Sequence, residues 1–135
     1  MCIRDSFQHI KNGKDITLDD GRIIPNSELT FDPPKPKSYA FCSDTAFKPD
    51  IVPQLKHVDV VYHEATFLES ESHLAPKTKH CTAKEAATIA KKAEVGKLIL
   101  GHYSTRYKTI ELFKTEAEVV FPSVELADDG KVFLL

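Results

Sequence analysis

No apolar stretch of this 135-residue chain approaches the roughly 20 residues that a helix needs to cross a bilayer. No secretory signal pattern opens it, so the expected location is cytoplasmic, with no membrane partner. Cysteine is scarce: Cys2, Cys42 and Cys81 are odd in number and none stands in CxxC spacing. That argues against a disulfide framework and against a thiolate zinc site. Basic excess is also missing, with 18 Lys and Arg against 20 Asp and Glu and a net charge of −2. Binding to a polyanion normally shows as a basic patch, because phosphate neutralisation supplies most of the affinity. The local pairs Lys77 and Lys79, and Lys91 and Lys92, read as solvated surface. Charge therefore neither supports nor excludes a nucleic-acid partner. Internal repeats and low-complexity segments are absent.

What remains is an ordinary globular balance, 41% hydrophobic and 28% charged, in a length that fits one domain with a modest core. Met1 to Ser6 carry no usable pattern and form an unmatched N-terminal junction. Residues 7–135 then read as part of a single domain. Asp20-Gly21, between Ile16-Thr17-Leu18 and Arg22-Ile23-Ile24, predicts a small hairpin. Asp32-Pro33-Pro34-Lys35-Pro36 predicts a stiff extended connector.

Beyond it, strands alternate with helices. Ser38 to Cys42, Val58 to Tyr62 and Lys97 to Leu100 read as strands, with a short helix over Pro49 to Leu55. A loop through 70–79 leads to Thr82-Ala83-Lys84-Glu85, a capping box that starts a helix running to about Ala93. Ala83, Ala86, Ala87 and Ala90 recur on one face of that helix, small enough for close packing on a sheet. A further helix covers Thr109 to Ala117. Val124 to Ala127 and Val132 to Leu135 are expected to close as a hairpin around Asp129-Gly130. The alternation predicts a layered α/β arrangement.

Three of these strands end in groups that can do chemistry: Ser43-Asp44-Thr45, His63-Glu64-Ala65-Thr66-Phe67, and Gly101-His102-Tyr103-Ser104-Thr105-Arg106-Tyr107. Open α/β sheets gather ligands outside the carboxyl ends of their strands, so three such endings mark a candidate site. Each residue alone has a plainer reading. Asp44 also fits a turn or helix cap, His102 a core histidine, and His80 an exposed loop. His63 reads as a hydrogen-bonded support for its neighbour. His9, His57 and His73 show no supporting pattern. Asp and His are suitable ligands for a hydrolytic zinc centre, and a carboxylate can bridge two metals. If the fold joins Glu64 to His80, the carboxylate would hold the imidazole cationic and ready to protonate a leaving oxygen.

Phe41-Cys42-Ser43-Asp44-Thr45, Tyr62-His63-Glu64-Ala65-Thr66-Phe67, Lys79-His80-Cys81-Thr82-Ala83 and the Gly101 to Tyr107 segment stand in the order and spacing of the ribonuclease Z family. The chain resembles that family from about Phe7 to Leu135. The resemblance implies the C-terminal half of a metallo-β-lactamase αββα sandwich. It also implies a zinc-dependent endoribonuclease that removes the 3′ trailer of precursor tRNA, with two zinc ions in the complete site and a homodimeric assembly. On the matching positions, Asp44 becomes the carboxylate bridging two zinc ions and His102 a terminal ligand. Glu64 and His80 become the catalytic pair, with His80 the proton donor to the departing 3′ oxygen and His63 in support. Ser104, Thr105 and Arg106 fall where the family surrounds the scissile phosphate.

The family's His-x-His-x-Asp-His motif, its further histidine and its basic tRNA-gripping arm have no counterpart in these residues. The expectation is a fragment with an incomplete ligand set, inactive alone. Two other readings stand beside this one. The first is another hydrolase of the same superfamily, a phosphodiesterase, sulfatase or lactonase, from which the Glu64/His80 combination distinguishes it. The second is a non-catalytic truncated remnant.

Overall fold

The computed structural model describes residues 3–135, and the chain divides at Pro36 into two units. In the first unit, α1 (Ile3–Lys11) is followed by β1 (Ile16–Thr17), β2 (Ile23–Ile24) and the short α2 (Asn26–Leu29). The hairpin expected around Asp20-Gly21 forms, with Ile16 opposite Ile24 and Thr17 opposite Ile23. Gly21 sits at φ +84°, backbone that suits glycine, and the Asp20 carboxylate accepts from the Arg22 backbone at 3.0 Å and its side chain at 2.8 Å. Helix α1 runs through the segment read from sequence as patternless; Met1 and Cys2 lie outside the described residues.

The second unit is built on a four-stranded, all-parallel sheet in the order β3-β4-β5-β6. Its strands are β3 (Tyr39–Cys42), β4 (Val60–Glu64), β5 (Lys97–Gly101) and β6 (Val124–Leu126). Helices α4 (Ala83–Ala93) and α5 (Glu111–Glu118) supply the crossovers, and α3 (Ala75–Thr78) and a 3₁₀ turn at Glu69–Glu71 interrupt the loop expected at 70–79. The helix anticipated at Pro49–Leu55 is 3₁₀, as its internal Pro53 requires of a segment lacking that N–H.

Helix α4 starts where the capping box places it, with the Thr82 side chain accepting from Glu85 N and Glu85 closing back on Thr82 N. Loss of such a cap costs about 1 kcal/mol. Its alanines at 83, 86, 87, 90 and 93 are fully buried, with Leu98, Leu100, Val61 and Phe113 in the same core. Burying a side chain of the size of Phe113 contributes on the order of 2 kcal/mol. The central strands β4 and β5 are mostly buried, β5 through the apolar run Leu98-Ile99-Leu100 and β4 at every position but the half-buried Tyr62.

Two sequence expectations fail here. The second strand runs over Val60–Glu64 rather than Val58–Tyr62. The Asp59 carboxylate accepts from Ser38 N and Oγ at 2.8 and 2.7 Å, fixing the entry so that pairing begins at Val60 and carries His63 and Glu64 into the ladder. The C-terminal hairpin does not form: β6 pairs in parallel with β5, and residues 132–135 hold no strand. Instead Phe133 and Leu135 line a cleft with Tyr39, Phe41, Tyr62 and Ile99 on the sheet face opposite α4 and α5, while Val132 and Leu134 face outward. Covering apolar side chains outweighs adding one antiparallel ladder at that edge. That face stays largely open, with Tyr39 50% and Phe41 62% exposed. Among the described residues no helix is long and apolar enough to cross a membrane.

Candidate active site

The carboxyl ends of β3, β4 and β5 lie side by side in register, Cys42 opposite His63 and Glu64 opposite Gly101. Residues immediately after each strand therefore meet at one rim. A Cβ at Gly101 would meet the Tyr62 ring, which glycine there lets lie across the end of β5. Thr45 follows β3, Glu64 ends β4, and His80 arrives on the short segment after α3 that is joined to Phe67 by an isolated bridge at Thr82.

Glu64 is completely buried and fully engaged. Its Oε1 accepts from Thr45 N at 3.1 Å and faces His80 Nδ1 at 2.8 Å; its Oε2 accepts from Thr66 N at 3.0 Å and contacts Thr66 Oγ1 at 3.0 Å. A buried carboxylate with this many donors is held in one geometry. The His80 ring lies against that of His102, centroids 5.1 Å apart, and Thr66 Oγ1 touches His102 Nδ1 at 2.9 Å. On the far side of its ring, His102 Nε2 lies 3.4 Å from Asp44 Oδ1. The side chains expected to share a site, Asp44, Glu64, His80 and His102, are thus contiguous.

Atoms of Glu64, His80 and His102 lie within 4.8 Å of one another, a grouping that could hold a metal ion. Hydrogen-bond accounting favours a different pair as ligands. Both Glu64 oxygens are taken up by protein donors, whereas Asp44 is 61% exposed on its side chain and His102 45%. Two ligand atoms on one tetrahedral ion, each at about 2.1 Å, stand about 3.4 Å apart. The separation between His102 Nε2 and Asp44 Oδ1 has that value. Both residues also hold left-handed backbone, φ +26° at Asp44 and +61° at His102, a strained conformation that tends to collect at functional sites. The residues present fit a metal ion.

His63, expected in support, is buried, and its Nδ1 lies 2.8 Å from the Glu64 carbonyl while Nε2 has no partner. Burial holds its imidazole below the usual histidine range. Burial likewise pushes the Cys81 thiol far up, and Cys81 Sγ donates to Thr45 O at 3.0 Å, so it packs the site rather than reacting. Arg106 lies over the Phe67 ring at 5.1 Å, its Nε bonding Ser104 Oγ at 3.1 Å and its Nη1 reaching Glu71 at 3.4 Å. Phe67 in turn meets His80 edge-on at 6.4 Å, which puts Arg106 on the rim of the site. Ser104 donates its N–H to Thr66 O at 3.1 Å, and Thr105 is exposed. His57 and His73 sit by Glu94 and Glu71 at the surface, and His9 is exposed.

Sequence reasoning gave no role to Thr66, although it stands inside the quoted His-Glu-Ala-Thr run. The signal available was its spacing: two residues after a strand-end carboxylate, its hydroxyl and N–H can both turn back to that carboxylate.

No family model matches the chain. A ribonuclease Z of Parabacteroides distasonis is 48% identical over 124 residues, 92% of this chain and 41% of that protein. Among solved structures, the metallo-β-lactamase fold protein YhfI from Bacillus subtilis aligns with a TM-score of 0.64 at 26% identity, over 69% of this chain and 38% of its own. A long form RNase Z from yeast aligns with a TM-score of 0.58 at 30% identity, over 66% of this chain and 12% of its own. The chain spans about two-fifths of the length of the curated relatives it matches.

Proposed function

Over about nine-tenths of its length the chain is homologous to part of ribonuclease Z and carries part of the metallo-β-lactamase fold, and on that footing we propose that it supplies one half of the active site of a zinc-dependent endoribonuclease acting on the 3′ trailer of precursor tRNA. The observation that carries the reading is the buried Glu64–His80 contact at 2.8 Å, packed directly against the His102–Asp44 pair. A metal-dependent phosphodiester hydrolase uses a cation at the phosphate and a proton donor at the leaving oxygen, side by side.

Asp44 and His102 would hold the metal, which supplies Lewis acidity toward the phosphodiester. Glu64 fixes His80 through Nδ1, leaving Nε2 turned away to deliver a proton to the departing 3′ oxygen. Arg106, steadied over Phe67, would meet a phosphate oxygen at the rim, with Ser104 and Thr105 beside it. Two donors fall short of the three protein ligands that catalytic zinc ordinarily keeps. The chain by itself should therefore bind zinc weakly and cleave no precursor tRNA appreciably.

The test is a chimera in which residues 7–135 replace the matching stretch of the Parabacteroides distasonis relative. It should cleave precursor tRNA at the 3′ side. His80→Ala in the chimera should lower the rate by about 10²- to 10⁴-fold, the range for a lost general acid, with metal content unchanged. Zinc lost together with activity would remove His80 from the role of proton donor. A parent chimera that folds, holds zinc and leaves the RNA intact would defeat the reading altogether.

A further inference from the structure

Thr66 has one hydroxyl proton and two neighbours that could receive it, Glu64 Oε2 at 3.0 Å and His102 Nδ1 at 2.9 Å. A carboxylate only accepts, so Glu64 Oε2 cannot satisfy the hydroxyl oxygen in return. Were the proton given to His102, Glu64 Oε2 and Thr66 Oγ1 would face each other as two bare oxygens in a buried site. Given to Glu64, it leaves Oγ1 free to accept, and His102 must then donate through Nδ1. The backbone reinforces this placement: Thr66 N–H bonds the same carboxylate oxygen at 3.0 Å, and Thr66 O accepts from Ser104 N, two residues past His102.

We infer that Thr66 is a positioning residue whose hydroxyl relays the Glu64 carboxylate to His102 and fixes a proton on Nδ1 of that imidazole, turning Nε2 toward Asp44, 3.4 Å away, as the nitrogen an ion would take. The inference deepens the proposed function, since it rests on His102 being the metal ligand, and it assigns Glu64 a second task. One buried carboxylate orients both histidines, His80 directly and His102 through Thr66. Ligand imidazoles are commonly oriented by a partner on the other ring nitrogen; here that partner is in place before any ion arrives.

The experiment records ring ¹⁵N spectra of the whole 135-residue chain, labelled at histidine, stripped of metal by chelator and held at pH 8.5. Loss of one set of signals in His102→Gln identifies His102. The expected spectrum shows Nδ1 protonated in the parent and in Thr66→Ser, with that Nδ1 protonation lost in Thr66→Val. A parent spectrum in which Nδ1 carries no proton overturns the relay, as does an unchanged pattern in a folded Thr66→Val. Should Thr66→Val fail to fold, the parent and Thr66→Ser spectra decide alone. Cleavage plays no part in this measurement. An inactive chimera with Nδ1-protonated His102 would defeat the proposed enzyme and leave the relay standing, and the converse result would defeat the relay only.

Discussion

The two halves of the candidate site sit within one ring's width of each other and are built on opposite terms. Glu64 and His80 form a closed arrangement: the carboxylate is fully buried, met by backbone and side-chain donors, and joined to its histidine at 2.8 Å. Asp44 and His102 are open, more than 40% exposed on their side chains, strained in φ, and 3.4 Å apart. The closed half is complete within this chain because its partners all come from β4 and the loops flanking it. Under the proposed function, the open half would take a cation and would need ligands beyond its own two. A site can thus be half closed and half open, and the closed half is what local sequence can encode.

That contrast is broken most directly by removing one carboxylate from each half. Glu64→Ala strips a buried acceptor from His80, Thr45 N and Thr66, and breaking a buried pair this way costs about 3–5 kcal/mol. Asp44→Gly removes an exposed carboxylate and relieves positive-φ backbone, so its stability should stay within about 0.5 kcal/mol of the parent. Urea titration of the metal-free proteins checks both. Equal losses would show that the open half is as structural as the closed one, and the comparison would collapse. With zinc added, Asp44→Gly should lose most of the stabilisation that ligand binding confers on the folded state, and Glu64→Ala a part of it, because Glu64 orients His102 through Thr66.

The two faces of the sheet differ in the same manner. One lies under α4 and α5, with Val61, Leu98, Leu100, Val124 and Leu126 in the core. The other shows the stacked Phe41 and Tyr62 rings, 4.6 Å apart, beside exposed Tyr39 on the edge strand β3. An open apolar face next to a strand edge favours self-association. Light scattering of the parent should show concentration-dependent association, and Phe41→Glu should reduce it while costing stability only about 1 kcal/mol. A parent that stays monomeric at high concentration would mean the C-terminal segment around Phe133 covers this face well enough.

What the sequence made legible follows the same division. The capping box at Thr82, the alanine face of α4 and the turn at Gly21 depend on residues within a few positions of one another, and each was readable. The strand-end pattern placed Asp44, Glu64 and His102 on a common rim, because parallel neighbours in a sheet must end together. The long-range terms were not readable. Entry to β4 is set by Asp59 bonding Ser38, 21 residues away, which moved the strand two positions. The C-terminal hairpin failed because an apolar sheet face, invisible to local pattern, competed for Phe133 and Leu135. Thr66 was passed over since a threonine after a strand is ordinary until two partners from separate loops are seen on one hydroxyl.

The smallest expected effect concerns His63, which belongs to the closed half and tests how closed it is. Its Nδ1 faces the Glu64 carbonyl, so Nδ1 carries the proton and Nε2 is left buried without a partner. Protonating Nε2 would bury an unpaired charge, and burial accordingly holds the group below its ordinary value near 6.5. The unfolded chain, with the ordinary value, binds the proton first as pH falls. Stability from His63 is therefore fully present above about pH 6.5 and is lost as pH drops below that, with a slope no steeper than about 1.4 kcal/mol per pH unit for one proton. His63→Gln, which keeps an amide donor for the carbonyl but cannot titrate, should be less stable than the parent at pH 8 and should narrow that gap toward pH 5. Chemical unfolding at both pH values measures it. A gap that stays constant would mean water reaches Nε2, and the wall separating the buried carboxylate from solvent would be thinner than the packing around Glu64 indicates.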